Sequence, residues 1–269
     1  MTYAMGRTSG ETGRLRRQAA FYAEPTDWLL GLAGIRPGMH VLDVGCGTGA
    51  MTLQAARRVG SAGSVTGVDI DGGLLEVARH RAADAGLGNV RFRLGTVPEL
   101  TVERPVDAVV GRLILIHLDD AVTAVRRLSR LVRPGGIVSF QEINSSSGRT
   151  VPPVPLTSRT SDWIVRALRT AGRAPDTGDR LPGVFRDAGL SVTGMAVAAP
   201  ASADPDDGFP EHAADTFLSM LPLVRRAGAT EDEISDAGTL AARIRREVAE
   251  AQAVMFLPEL VGVWAELPR

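Results

Sequence analysis

The segment HVLDVGCGTGA, residues 40–50, constrains this chain more than any other stretch. Apolar Val41, Leu42 and Val44 lead into Gly45, Cys46, Gly47, Thr48 and Gly49, and residues 51–59 have helical spacing. A strand, a glycine turn and a helix start are therefore expected. Glycines admit positive φ and let a ligand approach bare main chain, while the helix behind the turn offers free N–H groups and the positive end of its dipole. Such a turn suits a polar or anionic, nucleotide-like ligand. Two ligand classes use it. Gly45, Gly47 and Ala50 satisfy the dinucleotide pattern G-x-G-x-x-G/A, whereas Gly45, Gly47 and Gly49 following Asp43 satisfy G-x-G-x-G with a preceding acid. The glycines alone do not choose between them.

The next stretch of chain adds context. SVTGVDID, residues 64–71, reads as a second strand ending in Asp69, which follows Gly49 at about the 20-residue distance where an acid reaches a ribose diol. VRFRLG (90–95), VDAVVGR (106–112) and RPGGIVSFQEI (133–143) read as further strands, with helical spacing over 73–85 and 119–131 and Pro134-Gly135-Gly136 closing the latter helix. This alternation argues for parallel strands joined by right-handed helical crossovers, with the ligand at the carboxyl ends of the strands where strand order reverses.

On LDVGCGTG, GVDID and LSRLVRPGGIVSF the chain resembles the class I S-adenosylmethionine-dependent methyltransferases, which carry similar first and second motifs and a similar helix, turn and strand closing their core. The resemblance covers residues 36–143 well and the remainder only in architecture. It implies an α/β fold with a Rossmann-like, doubly wound, mostly parallel seven-stranded sheet, N-terminal helices, a helical cap insertion and S-adenosyl-L-methionine as cofactor.

Composition narrows the chemistry. The chain has 269 residues and is 44% hydrophobic, enough for a substantial core. All 30 basic residues are arginine, which removes Schiff-base chemistry and a Walker A lysine. Cys46 is the single cysteine, so neither an internal disulfide nor a thiolate zinc cluster is expected. His40, His80, His117 and His212 are scattered, and no metal is expected. Net charge is −1, with the arginines interleaved among acids, so a small-molecule methyl acceptor is favoured over nucleic acid. The opening residues lack an apolar signal core and no apolar run approaches the ~20 residues that span a bilayer. No membrane partner and a cytoplasmic location are expected. The arginine, alanine and glycine bias is that of a high-GC bacterial genome. Oligomeric state stays open, a homodimer included.

Domain organisation is read as an N-terminal stretch, 1–35, and a methyltransferase domain, 36–269. Residues 2–13 are expected to form a mobile tail, followed by two lid helices over 15–32 broken at Pro25. TVPPVP, 150–155, reads as a linker, and helical segments 150–175 and about 208–250 are taken as the cap, with Trp163 and Phe217 facing the acceptor space. Thr230 with Glu233 signals a capping box opening a helix that runs to about Ala251. SVTGMAVAAP and LVGVWAEL read as late strands.

The resemblance also implies roles. Asp43 orients the cofactor's amino group or bonds the glycine-loop amides. Gly45, Cys46, Gly47 and Gly49 line the close approach, Cys46 as a small filler. Asp69 accepts both ribose hydroxyls and Ile70 covers an adenine face. Many relatives have an aspartate where Thr96 stands; either Thr96, next to Val97, or Glu99 would read the adenine. Gly111 and Arg112 offer main-chain oxygens to the methionine ammonium, and Tyr22 lies near that end or is an ordinary half-buried tyrosine. His117 and Glu142 are candidate general bases, His117 alternatively structural, and Asn144 would orient the acceptor. The absence of Asn-Pro-Pro-Tyr argues against DNA adenine or protein glutamine as acceptor. The favoured function is methyl transfer to a natural-product or quinone-like small molecule, with O-, N- or C-methylation undecided. A cofactor-binding protein without methyl transfer, a cyclase or regulatory binder, is one alternative. An NAD-dependent oxidoreductase is the other, disfavoured by Asp43 and the Pro-Gly-Gly turn.

Overall fold

Successive residues of a strand point to opposite faces of its sheet, and that period decides where each layer of this chain packs. The structure, a computed structural model, describes residues 9–234 and 236–269. The chain opens with α1 (Ser9–Phe21) and α2 (Ala23–Leu32), then runs β1 (His40–Val44), α3 (Ala50–Val59), β2 (Ser64–Asp69), α4 (Gly72–Asp84), β3 (Val90–Leu94), β4 (Val106–Arg112), α5 (Ala121–Ser129) and β5 (Val132–Asn144). It continues through β6 (Arg149–Val151), α6 (Pro155–Thr170), α7 (Thr177–Asp187), β7 (Gly194–Ala198) and β8 (Ala201–Ser202). Helices α8 (Phe209–Ser219), α9 (Leu221–Arg226), α10 (Glu231–Ile234) and α11 (Leu240–Glu250) precede β9 (Val254–Phe256) and β10 (Glu259–Glu266).

These elements fall into two units. The first takes residues 23–142, 178–197 and 261–269. It is built on a seven-stranded sheet of order β3-β2-β1-β4-β5-β10-β7, in which β1 pairs parallel with β2 and β4, β2 with β3, and β4 with β5. Strand order reverses between β1 and β4, so the switch point lies at the end of β1, where the glycine turn begins. The residue period shows in the core. Val41, Val65, Ala108, Val110 and Ile137 pack with Leu30, Ala55 and Val59 on the side of α2 and α3. Leu42, Val44, Val109, Val138 and Phe140 pack with Leu128, Leu181 and Phe185 on the side of α5 and α7.

The second unit takes the described residues up to Tyr22, with 143–177 and 198–260. It is mainly helical, with α1, α6 and α8–α11, and carries a small antiparallel sheet of order β6-β9-β8. Segments 150–175 and 208–250 lie in this unit. Trp163 and Phe217 are both buried, and the space they share with Leu156, Thr160 and Leu240 is about 30 Å³.

Several local expectations are corrected. Residues 2–8 of the expected tail lie outside the described residues, and residues 9–13 are already helical. The break between α1 and α2 falls at Tyr22, with Pro25 inside the first turn of α2, where its missing N–H costs no helical bond. Residues 149–151 are paired to β9 rather than linking, and Pro155 opens α6. Asp120 caps α5 by accepting from the Thr123 amide at 2.8 Å. That helix ends at Ser129, and Pro134-Gly135-Gly136 lies within β5. The helix expected from Thr230 to about Ala251 is interrupted by a 3₁₀ turn at Ala237–Thr239; the Glu233 side chain of its capping box lies outside the described residues. No helix among the described residues is long and apolar enough to cross a membrane.

Phe140 on β5 is fully buried and meets Phe185 of α7 edge-to-face at 6.3 Å between ring centroids. Truncating it removes a large apolar surface and leaves a cavity. Phe140→Ala is expected to cost about 3–5 kcal/mol, read as a lower urea midpoint at unchanged slope.

Candidate active site

The glycine turn forms because β1 stops while its neighbour continues. The Gly45 and Cys46 amides both donate to the Val68 carbonyl oxygen of β2, at 2.8 and 3.1 Å, folding the chain back at once. Gly45, Gly47 and Gly49 all sit at positive φ, 69°, 51° and 77°, which L side chains rarely adopt. Their surroundings differ. A Cβ on Gly45 would lie 2.5 Å from the Ile114 side chain, and one on Gly49 3.0 Å from Ala78, so these two permit close packing. A Cβ on Gly47 would meet nothing within 4 Å. There the bare main chain faces open space. Gly49 is the N-cap of α3, and no side chain caps that helix.

Three carboxylates sit at strand ends. Asp69, half-buried at the end of β2, accepts from the Gly47 amide at 2.8 Å through one oxygen and from the Asp71 amide at 3.0 Å through the other. It ties the turn to the second strand. Asp43 of β1 is 1% exposed. Its Oδ2 accepts from the Thr52 hydroxyl at 2.6 Å, and its Oδ1 is buried with no hydrogen-bond partner among the described residues. Burial pushes this carboxyl up to about 6, against the Thr52 hydrogen bond and the Arg112 guanidinium, which favour the charged form. Glu142, near the end of β5, is fully buried, and its Oε1 accepts from the Ile114 and Leu115 amides at 2.8 and 2.7 Å. Burial raises it to about 7. Expected to be open to an acceptor, it is sealed beneath the chain that leaves β4.

Other expected residues are placed as follows. Ile70 is 43% exposed, unusual for an isoleucine, directly after Asp69. The Thr96 hydroxyl donates to Glu99 Oε2 at 2.8 Å, so the two alternatives for reading adenine form one pair, next to Val97. A Cβ on Gly111 would meet the Phe140 ring at 2.7 Å. Arg112 donates to the Thr26 hydroxyl of α2 at 2.8 Å. Cys46 is buried, and burial drives its thiol far above the usual range. His117 is partly exposed in the 3₁₀ turn Leu115–His117 after β4.

Two expected residues belong to the helical unit. Tyr22 belongs to the helical unit, where it is 1% exposed and its hydroxyl donates to the Pro258 carbonyl oxygen at 2.7 Å. It is a packed core tyrosine there. Asn144, also in that unit, forms a bridge with Asp176. Three contributors were missed. Thr52 holds Asp43, Thr26 holds Arg112, and Arg81 of α4 donates to Thr48 of the turn through its carbonyl oxygen at 2.7 Å and hydroxyl at 3.1 Å. Only Thr52, one turn into α3 behind an acid-bearing strand, carried a local signal. Among the described residues no group of three His, Cys, Asp or Glu could hold a metal ion.

A mixed sheet, parallel from β1 to β5, with a glycine turn and acids at its switch point defines an α/β protein of the Rossmann-like class. A family model described as a methyltransferase domain matches residues 35–173, more than half of the chain. The chain belongs to the class I S-adenosylmethionine-dependent methyltransferases. It is 38% identical over 122 residues to a ubiquinone biosynthesis O-methyltransferase of Paracidovorax citrulli, covering 45% of this chain and 50% of that one. It is 35% identical over 142 residues to nocamycin O-methyltransferase of Saccharothrix syringae, covering 52% and 47%. The matched stretch spans about half the length of these curated relatives. Among solved structures, the [4+2]-cyclase SpnF is similar over 91% of this chain and 81% of that one, with a TM-score of 0.55 and 20% identity. At that identity the likeness shows the fold alone.

Gly45→Ala would combine a strained φ with a collision against Ile114. The variant is expected to lose about 1–3 kcal/mol of stability, while Gly47→Ala, with open space around it, loses less. Paired urea titrations of the two variants check the order.

Proposed function

We propose that this chain binds S-adenosyl-L-methionine at the glycine turn and transfers its methyl group to a small, natural-product or quinone-like acceptor. The observation that carries this reading is Asp43 Oδ1, a buried carboxylate oxygen without a protein partner at the switch point. An ionised group is not kept unpaired in a protein interior without cost; an amine or water-bridged amine donor from the ligand removes that cost. Around it the residues fit the rest of the molecule. Asp69 has lone pairs left for two ribose hydroxyls by charge-assisted bonds, Ile70 offers an exposed apolar face to adenine, and the open side of Gly47 admits close approach. The Thr96 hydroxyl gives its proton to Glu99 and keeps lone pairs for the adenine amino group, beside Val97. Main-chain oxygens of Gly111 and Arg112 would accept from the ammonium.

When bound, the cofactor supplies a methyl group on a sulfonium. The chain's task is to hold that group in line with the acceptor atom and keep water out. Where the acceptor carries a proton, His117 is the partly exposed group able to take it. The names of the two relatives, one from ubiquinone biosynthesis and one acting on nocamycin, favour an acceptor of that size and kind. A net charge of −1 favours a small acceptor over nucleic acid, and a cytoplasmic location accompanies that reading.

Calorimetric titration with S-adenosylmethionine, S-adenosylhomocysteine and NAD tests the proposal directly: tighter binding of NAD would overturn it. Asp69→Ala is expected to weaken S-adenosylhomocysteine binding at least tenfold, about 1.4 kcal/mol. The pH dependence has a definite sign. Asp43 accepts most strongly when ionised, as a charge-assisted acceptor, and its carboxyl sits at about 6, so affinity rises as pH climbs through that value. Binding at pH 5 should be about tenfold weaker than at pH 7.5, and Asp43→Asn should flatten the profile.

A further inference from the structure

Glu142 is a buried acid that the proposed chemistry leaves unused. β5 runs 13 residues and outlasts β4, whose last paired residue is Arg112 opposite Gln141. The chain leaves β4 through Leu113, a non-glycine residue at φ 56°, whose amide donates to the Gln141 carbonyl oxygen at 2.9 Å. A leucine holds that conformation only where its surroundings enforce it. The next two amides, Ile114 and Leu115, both end on Glu142 Oε1. One carboxylate from β5 therefore fixes the start of the segment that leads to His117.

The segment in turn abuts the glycine turn. The Ile114 side chain occupies the space beside two bare α-carbons: a Cβ on Gly45 would lie 2.5 Å from it and one on Gly111 3.0 Å. The path runs from Glu142 through two amides to Ile114, and from Ile114 to Gly45. A general base must reach the proton it removes. Glu142 has no exposed surface and spends Oε1 on main chain; its Oε2 is buried with no hydrogen-bond partner among the described residues, and no surface opens it to an acceptor.

We infer that Glu142 is a positioning residue: by accepting the Ile114 and Leu115 amides it seats Ile114 against Gly45 and so holds the glycine turn in its cofactor-binding shape. The inference rests on the cofactor reading above and adds a residue that never touches the ligand. It makes the amide-accepting oxygen the operative feature. Glutamine, which keeps that oxygen and the side-chain length, should substitute for glutamate; alanine, which strands two buried amides, should not.

The test is S-adenosylhomocysteine affinity by calorimetry, on the folded full chain, with urea midpoints measured alongside. Wild type binding none would sink the cofactor reading and this inference with it, whereas a failure confined to the variants sinks the inference alone. Glu142→Gln is expected to bind within threefold of wild type and Glu142→Ala at least tenfold more weakly. Unchanged affinity in Glu142→Ala, whether or not its urea midpoint falls, would leave only a structural or proton-transfer role and overturn the inference. Equal losses in both variants would also overturn it, since charge would then be what matters. Should Glu142→Ala not fold, Ile114→Ala carries the same test with Glu142 intact. At least fivefold weaker binding is expected, and unchanged affinity refutes the path.

Discussion

A parallel strand that ends beside a longer neighbour leaves main-chain amides with no ladder to join, and amides buried without an acceptor are costly. The sheet unit answers this at its functional end with acids from adjacent strands. Asp69 takes the amides of Gly47 and Asp71, and Glu142 takes those of Ile114 and Leu115. The Val68 carbonyl takes Gly45 and Cys46. Asp69 spends both oxygens on main chain, whereas Asp43 and Glu142 each keep one buried oxygen with no hydrogen-bond partner among the described residues; at Asp43 the satisfied oxygen takes the Thr52 hydroxyl.

Much of this order was legible in the sequence because it is set by local rules. Short apolar runs alternating with helical stretches marked the strands of the large sheet, and three glycines after an acid marked the turn. What escaped were features whose cause is tertiary. β6, β8 and β9 are two or three residues long, too short to show any period, and exist only through each other. Pro25 looked like a breaker but sits in the first turn of α2, where proline is tolerated. The partners of Asp43 and Arg112, Thr52 and Thr26, are ordinary threonines in helices until the fold sets them opposite a charge. Glu142 looked available because it ends a strand; whether a strand-end acid faces ligand or main chain depends on how far the neighbouring strand runs.

Fold and family bear differently on function. A [4+2]-cyclase is similar in fold, so architecture does not select the reaction. Family membership rests on residues 35–173, from just before β1 through α6. Residues 198–260 of the helical unit, Phe217 among them, lie outside that stretch, while α6 with Trp163 lies within it.

The buried thiol of Cys46 has a practical side. Packed within the turn beside Gly67 and held protonated by its surroundings, it is a poor nucleophile in the closed state. As the chain's single sulfhydryl, it reacts with an alkylating reagent only when this segment opens, so its labelling rate is a clock for local breathing of the loop, with no probe to introduce.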